Sequence, residues 1–294
     1  MNAFRHGCRN EKKNTELFYM EAMGVKSKLF VCVLLASLFM FLVSCALAGE
    51  LEVLFFNAGK ADACLLKTPE STVLIDTGKN KMGKEIVSYL NKHGIHEIDV
   101  MFITHFDKDH VGGADKVLEQ VKVLQIIEPD YVSDSKQYIQ YKEAVDHFGT
   151  PVTTLNQNAS FEMDGVVYEI DVANQNYYGE DEENDFSLVI GVKYGNVSFL
   201  FAGDAENPRL SELLAEKIGE YDVLKVPHHG REEKMSAAFF DAVKPQYSVI
   251  TSDEEDLEDV SVVRKLQSYG EVYLTRYGEI LCVTDGNSIT VKQN

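Results

Sequence analysis

The segment THFDKDHVGG, residues Thr104 to Gly113, decides how this chain is organised. It follows an apolar run, Val100 to Thr104, that has the length and composition of a buried strand. The loop at the carboxyl end of that strand therefore carries four side chains of the kinds that bind divalent transition metals: His105, Asp107, Asp109 and His110. A solvated polar turn with incidental histidines is the alternative. Four such side chains within six residues favour a metal site.

The THFDKDH segment resembles the HxHxDH signature of metallo-β-lactamase-fold hydrolases, in the HxDxDH form of the hydrolase domain of competence-type, ComEC-like DNA-uptake proteins. Four further segments resemble motifs of the same family and fall in the family's order: LIDTG (Leu74 to Gly78), NDFSLVI (Asn184 to Ile190), FLFAGD (Phe199 to Asp204) and LKVPHHG (Leu224 to Gly230). The resemblance covers the chain from about Leu51 to its end. It implies an α/β fold of four layers, an αββα sandwich with two mixed sheets inside and a site where strand ends converge.

The same resemblance implies two divalent metal ions. One ion is expected on His105 and Asp107, and the other on Asp109, His110 and His229. Asp204 would bridge the two. Zinc is the expected metal, and the hard carboxylate oxygen of Asp107 makes manganese plausible.

Other motif positions suggest supporting roles. Asp76, after the third strand, is expected to hold a ligand in place, although a turn aspartate is the alternative. Asn184 stands where many relatives carry a further metal-binding histidine. His228 is expected to be a substrate-binding residue or a second ligand beside His229. The candidate catalytic residues are His228 and the metal ligand Asp109.

Two positions leave open questions. Asp204 precedes a predicted helix, Glu206 to Glu216, so it could instead be the N-cap of that helix. The first turn of family members usually contains Gly-Gln-Gly-Asp, whereas this chain has Gly59, Lys60, Ala61 and Asp62. The departure leaves the role of that loop undetermined.

Periodicity predicts the other elements. Helices are expected at Met82 to His93 and at Ser135 to Phe148, with Asp134 or Ser135 as the cap of the latter. The final strands, Val272 to Thr275, Ile280 to Val283 and Ser288 to Val291, are expected to close the second sheet. Cys64 and Cys282 each lie in an apolar run, so buried free thiols are expected rather than a disulfide.

The N-terminus predicts export. Residues 1–48 form a predicted leader and residues 49–294 the hydrolase domain. Leu29 to Ala48 is apolar and follows Lys26 and Lys28, and Leu42 to Cys45 resembles a lipobox in which Cys45 is lipidated. Cleavage after Ala48 and an uncleaved membrane span remain alternatives, as does a translation start at Met23. The expected location is the outer side of the cytoplasmic membrane, or the medium.

The charge restricts the substrates. The chain has a formal net charge of −19, and residues 45–294 alone have 22 Lys and Arg against 44 Asp and Glu. Such a surface repels polyanions, which disfavours nucleic acid as a partner. The expected activity is hydrolysis of a phosphate ester or phosphodiester, on a small or cell-surface substrate, by a metal-bound hydroxide. A DNA nuclease and a catalytically silent surface lipoprotein are the alternatives.

Overall fold

The computed structural model describes residues 49–178 and 183–294. The predicted leader, its Cys45 and the first three residues of the acidic segment Glu180 to Asp185 lie outside the described residues. Within the described ranges, no helix combines the length and the apolar composition that crossing a bilayer requires.

The first sheet has eight strands. In chain order they are β1 (Leu51–Phe55), β2 (Cys64–Lys67), β3 (Thr72–Ile75), β4 (Glu97–Phe102), β5 (Lys122–Pro129), β6 (Val152–Leu155), β14 (Ile280–Thr284) and β15 (Ile289–Gln293). Their spatial order is β15-β14-β1-β2-β3-β4-β5-β6, and β3 to β6 are parallel to one another. The strand before the metal loop, β4, is parallel to β3, which ends at Ile75.

The second sheet has seven strands. They are β7 (Ala159–Met163), β8 (Val166–Asp171), β9 (Val189–Tyr194), β10 (Val197–Phe201), β11 (Val223–Lys225), β12 (Tyr247–Ile250) and β13 (Glu271–Leu274). They lie in the order β13-β12-β11-β10-β9-β8-β7, with β10 to β13 parallel and the others antiparallel. Alternate residues of β8 are buried, as expected for a strand with one face on a core.

Six α-helices of the described chain cover the outer faces. They are α1 (Asn80–Lys92), α2 (Ala114–Gln120), α3 (Lys136–Phe148), α4 (Asn207–Ala215), α5 (Ser236–Val243) and α6 (Val260–Leu266). Side chains of α1 to α3 pack on the first sheet, and those of α4 to α6 pack on the second. A third apolar cluster, including Phe55, Phe102 and Phe201, fills the space between the sheets. The predicted αββα layering is confirmed.

Local predictions hold to within about two residues at helix ends. Ser135 caps α3, since its Oγ accepts a hydrogen bond from the backbone N–H of Tyr138 at 3.2 Å. Cys64 and Cys282 are buried free thiols, as predicted. Burial raises the pKa of both thiols, which keeps them protonated at neutral pH.

The placement of the C-terminal hairpin corrects one expectation. Only β13 joins the second sheet, whereas β14 and β15 extend the first sheet, where Leu51 of β1 pairs with Thr284 of β14. The hairpin satisfies the otherwise unpaired edge of β1 and turns Ile280 and Cys282 into the core between the sheets. Alternating hydrophobicity shows which face of a strand is buried but not which sheet it joins.

Candidate metal centre

Five parallel strands end at the same edge of the sandwich and bring the candidate residues together. Strands β3 and β4 of the first sheet lead to Asp76 and to the loop His105 to His110. Strands β10, β11 and β12 of the second sheet lead to Asp204, His229 and Thr251. Because carboxyl ends of parallel strands share one edge of each sheet, segments far apart in sequence contribute side chains to one buried cluster.

The glycines after the metal loop allow a close approach of backbone to backbone. A Cβ added at Gly113 would lie 2.4 Å from the carbonyl oxygen of Thr77, and one added at Gly112 would lie 2.2 Å from that of Lys108. Neither position can accept a side chain without moving the backbone. The loop is therefore fixed against the turn after β3, where Asp76 lies.

Asp76 orients His110. Its Oδ2 accepts hydrogen bonds from His110 Nδ1 at 2.8 Å and from the hydroxyl of Thr104 at 2.7 Å, while its Oδ1 accepts from the backbone N–H of Thr104 at 2.8 Å. A carboxylate that holds one imidazole nitrogen directs the other toward a metal and makes it more basic. Asp76 therefore lies behind His110 and would hold its ring if His110 binds a metal.

The second nitrogen of His110 points to Asp204. His110 Nε2 lies 3.2 Å from Asp204 Oδ1, and His229 Nε2 lies 3.1 Å from Asp204 Oδ2. The ring of His105 lies 4.0 Å from that of His110, centroid to centroid. The one carboxylate thus stands between two imidazoles, which is the arrangement that a bridging ligand needs.

Four buried atoms of this cluster have no hydrogen-bond partner: Nε2 of His105, His110 and His229, and Oδ1 of Asp204. Buried polar atoms are rarely left unsatisfied, because each costs about 1–3 kcal/mol. Imidazole nitrogens and a carboxylate oxygen that converge are a donor set for divalent transition metals. The residues present therefore fit such ions.

Electrostatics keep two of these donors, His105 and Asp204, in the form that binds a metal. Burial and the neighbouring His110 lower the pKa of His105 well below its usual value, so its imidazole is neutral. Burial alone would raise the pKa of Asp204, but His110, His229 and Lys225 outweigh it and hold that pKa well below the usual range. A neutral imidazole and an ionised carboxylate are the forms that bind a metal. Burial would lower the pKa of His110, but Asp204, Asp76 and Asp62 outweigh burial and raise that pKa well above its usual value, so a metal would displace the proton of His110.

The two aspartates of the loop are less closely engaged. Two groups of residues in the described chain have ligand atoms within 4.8 Å of one another. One group is His105, His110 and Asp204, and the other is Asp62, His110 and His229. Neither of these two groups includes Asp107 or Asp109. The Asp109 carboxylate lies 3.8 Å from His229, measured from Oδ2 to Nε2. Burial raises the pKa of Asp107 to about 6. Both residues are partly exposed.

Sequence reasoning missed three buried residues that support the cluster. The ammonium of Lys225 pairs with Asp62, donates to the carbonyl oxygen of Gly203 at 3.0 Å and lies 3.5 Å from Asp204 Oδ1. Asp62 Oδ1 accepts from the Thr251 hydroxyl at 2.6 Å, and that hydroxyl lies 2.9 Å from His229 Nδ1. Asp62 thus holds His229 through the Thr251 hydroxyl, whereas Asp76 bonds His110 directly.

Signals for two of these residues were present. Asp62 aligns with the aspartate of the Gly-Gln-Gly-Asp turn that is usual in the family. Lys225 lies in the LKVPHHG segment. Burial by itself lowers the pKa of Lys225, but the charges of Asp62 and Asp204 outweigh it, so the lysine is protonated. Thr251 had no sequence signal beyond its place at a strand end.

The adjacent histidines take separate positions. Both have positive φ angles, 46° for His228 and 54° for His229, within the turn Pro227–Gly230. The His229 ring joins the cluster, whereas His228 Nδ1 lies 3.1 Å from Glu206 Oε1. Asn184 also lies on this side, where its Nδ2 donates to Glu206 Oε1 at 2.9 Å.

Asp204 does not cap the following helix. Helix α4 begins at Asn207, and the backbone N–H groups of Glu206 and Arg209 donate to Asp185 Oδ1, each at 3.1 Å. Asp185 therefore supplies the capping oxygen, and the Asp204 carboxylate remains turned toward His110 and His229. The N-cap alternative for Asp204 is wrong.

Comparison with known families agrees with this geometry. The profile of the Metallo-beta-lactamase superfamily matches residues 57–251, well over half of the chain. Among solved structures, the metallo-beta-lactamase fold protein YhfI from Bacillus subtilis matches with a TM-score of 0.55 at 9% identity, over 83% of this chain and all of that one. A putative metal-dependent hydrolase from Parabacteroides distasonis matches with a TM-score of 0.51 at 15% identity, over 78% and 94% of the two chains. These two likenesses support the fold.

Curated relatives include a competence protein and a recombination protein. ComE operon protein 3 of Bacillus subtilis is 24% identical over 239 residues, which cover 74% of this chain and 30% of that protein. Recombination protein 2 of Haemophilus influenzae is 27% identical over 221 residues, 72% and 26% of the two. Competence protein ComA of Neisseria gonorrhoeae is 25% identical over 208 residues, 69% and 27%. The chain thus spans less than a third of the length of each of these relatives.

Proposed function

This chain belongs to the metallo-β-lactamase superfamily and is a metal-dependent hydrolase, and we propose that it hydrolyses a phosphate ester or phosphodiester at a pair of divalent metal ions. The proposal rests on one observation above all. Nε2 of His105, His110 and His229 and Oδ1 of Asp204 converge, are buried and have no hydrogen-bond partners. Buried imidazole nitrogens and a carboxylate oxygen that converge in this way are the donors that divalent cations bind.

Six residues would hold the ions: His105, Asp107, Asp109, His110, Asp204 and His229. Six side-chain donors exceed the four-coordinate shell of one zinc ion, which supports a pair. Zinc is the first expectation, and the three carboxylates among the six donors make manganese a competitor. Ions bound there supply an acidified water as nucleophile and stabilise negative charge on the substrate.

The chain's own residues perform the remaining tasks. Asp76 and the pair Asp62–Thr251 hold His110 and His229 by their Nδ1 atoms, so both rings keep one orientation. Asp107 and Asp109 lie on the partly exposed side, where a substrate would approach. His228 lies beside the cluster and is a candidate for contact with the substrate or with a cation.

We infer the class of substrate from the metal-binding side chains and from the net charge of the chain. Oxygen-rich two-metal sites are typical of enzymes that cleave phosphate esters. The net charge of −19 disfavours long polyanions and favours a small or cell-surface ester. A nuclease is the second candidate, because three curated relatives carry names of competence or recombination proteins.

The test uses full-length protein that has been stripped of metal and reloaded with zinc or manganese. Chromogenic phosphodiesters, phosphomonoesters, lactams and thioesters should be compared, with linear DNA as a separate substrate. We expect metal-dependent turnover of a phosphodiester or phosphomonoester that Asp204→Asn abolishes. Turnover of lactams or thioesters alone would refute the substrate class, DNA cleavage as the main activity would favour the nuclease, and no turnover despite two bound equivalents would favour a silent protein.

Export is also part of the proposal. Residues 1–48 would form the leader and residues 49–294 the catalytic domain, with lipidated Cys45 holding the mature protein at the outer side of the cytoplasmic membrane. The apolar run Leu29 to Ala48 after Lys26 and Lys28 supports this location.

A further inference from the structure

A second group of metal-binding side chains lies beside the main cluster. Glu206 precedes α4, His228 lies in the turn after β11, and Glu233 lies in the loop before α5. One ligand atom of each comes within 4.8 Å of the other two. None of these residues belongs to the six side chains that were assigned to the metal pair.

His228 is held in an unusual position by the backbone. Its φ of 46° is a conformation that non-glycine residues rarely adopt, and it turns the ring away from that of His229, whose centroid is 6.2 Å distant. Only 7% of His228 is exposed. Such backbone strain persists only where surrounding contacts enforce it, and it clusters at functional sites.

The Nδ1 atom of His228 is buried without a hydrogen-bond partner, although Glu206 Oε1 lies only 3.1 Å away. The two atoms face each other at a distance that a hydrogen bond would allow, but their directions do not form one. A cation that binds both His228 Nδ1 and Glu206 Oε1 would suit this arrangement.

Two asparagine amides fix the carboxylates. Asn184 Nδ2 donates to Glu206 Oε1 at 2.9 Å, and Asn207 Nδ2 donates to Glu233 Oε2 at 2.5 Å. Asn207 is itself fixed, because its Oδ1 accepts from the backbone N–H of Met235 at 2.9 Å. Residues that orient ligands from behind are a regular part of metal sites.

The charge of this group is only partly balanced by a neighbouring basic side chain, Arg231, which acts on both carboxylates without pairing with either. In residues 49–178 and 183–294, no lysine or arginine forms an ion pair with Glu206 or Glu233. Two carboxylates this close repel each other unless a positive charge lies between them. A divalent cation provides that charge and completes the bonding of His228.

We infer that Glu206, His228 and Glu233 bind one further divalent cation, separate from the metal pair. One imidazole and two carboxylates suit manganese or zinc. Both carboxylates are partly exposed, so the ion binds more weakly than those of the main cluster. This site does not depend on the proposed activity, because its residues bind the cation whether or not the chain hydrolyses an ester.

The first test counts bound manganese. Metal-stripped full-length protein is titrated with Mn²⁺ while the free ion is followed by electron paramagnetic resonance. We expect Glu233→Gln to lose one equivalent of the weaker class relative to the wild type. Glu232→Gln makes the same change at the exposed neighbouring residue and should bind as much as the wild type. Equal manganese binding by Glu233→Gln and the wild type would overturn the inference.

The second test needs no variant. Crystals of the wild type soaked in Mn²⁺ should give an anomalous peak between Glu206, His228 and Glu233. Peaks at His105, His110 and Asp204 with none at this group would refute the further site. A peak at this group with an empty main cluster would support the further site and refute the metal pair of the proposed function.

Discussion

Replacing Lys225 by methionine should destabilise the metal-free protein more than any change on its surface. The ammonium is buried, pairs with Asp62, and lies 3.0 Å from the Gly203 carbonyl oxygen and 3.5 Å from Asp204 Oδ1. Methionine keeps the length and most of the volume of the side chain. The variant therefore removes one positive charge and leaves two buried carboxylates without it.

The magnitude follows from burial. Removing one partner of a buried ion pair costs about 3–5 kcal/mol, because the other charge stays buried without compensation. The Thr251 hydroxyl still donates to Asp62 at 2.6 Å, and His110 and His229 lie within 3.8 Å of its oxygens, so the lower half of that range is expected. For a domain of this size each kcal/mol corresponds to roughly 2–4 °C in Tm.

A double-mutant cycle separates the charge effect from packing. The second change, Asp62→Asn, removes the carboxylate, so the double variant should recover about 2 kcal/mol relative to the sum of the single changes. Lys193→Met is the matched control. Lys193 forms a 2.7 Å pair with Glu169 on the surface, nearly half exposed on both sides, and such pairs contribute at most about 1 kcal/mol.

The assay is urea unfolding in the presence of a chelator, followed by far-UV circular dichroism. If Lys225→Met and Lys193→Met lower the free energy of unfolding by amounts within 1 kcal/mol of each other, the buried pair of Lys225 and Asp62 does not stabilise the protein as argued. A double variant no more stable than the additive sum would refute the coupling to Asp62.

Three other outcomes are expected. Asp109→Ala should abolish hydrolysis of an activated phosphodiester with an unchanged melting curve, while Asp285→Ala, in a distant turn, should keep the rate within a few-fold; retained activity in the former would contradict the metal-centred mechanism. Gly203→Ala should lower the Tm, because its φ is +53° and its Cβ would lie 2.7 Å from Ser187 Oγ; a Tm equal to that of the wild type would show that the strand end can relax. Cys45→Ser should lose fatty-acid labelling, and equal labelling of both proteins would exclude lipidation at this residue.

Much of the fold could be predicted because the motifs lie at strand ends. Each of the segments around Asp76, His105 and Asp204 combines an apolar run with polar residues directly after it. In parallel strands that pattern predicts both the buried sheet and the edge where the polar residues meet. The convergence of His110, Asp204 and His229 therefore followed from local sequence.

The rest depended on distant contacts. From the sequence alone, Asp62 is a turn residue. Its partners, Lys225 and Thr251, lie more than 160 residues later in the chain, so local sequence does not reveal its role. The strand Val152–Leu155 was missed because it is short, follows a proline and is not fully buried. Pairing partners of a short strand are set by tertiary packing, which propensity does not encode.

The pairing of β1 with β14 determines when this domain can be completed. The strand at Leu51–Phe55 lies between β2 and a hairpin that consists of residues near the end of the chain. Until residues 280–293 have left the ribosome, β1 has an unpaired edge, and one side of the apolar cluster between the two sheets stays exposed to solvent. Closing a loop of more than 220 residues is slow, so the domain should reach its native state only after residues 280–293 have emerged. A nascent chain of this kind stays receptive to chaperones until its last strands have been added.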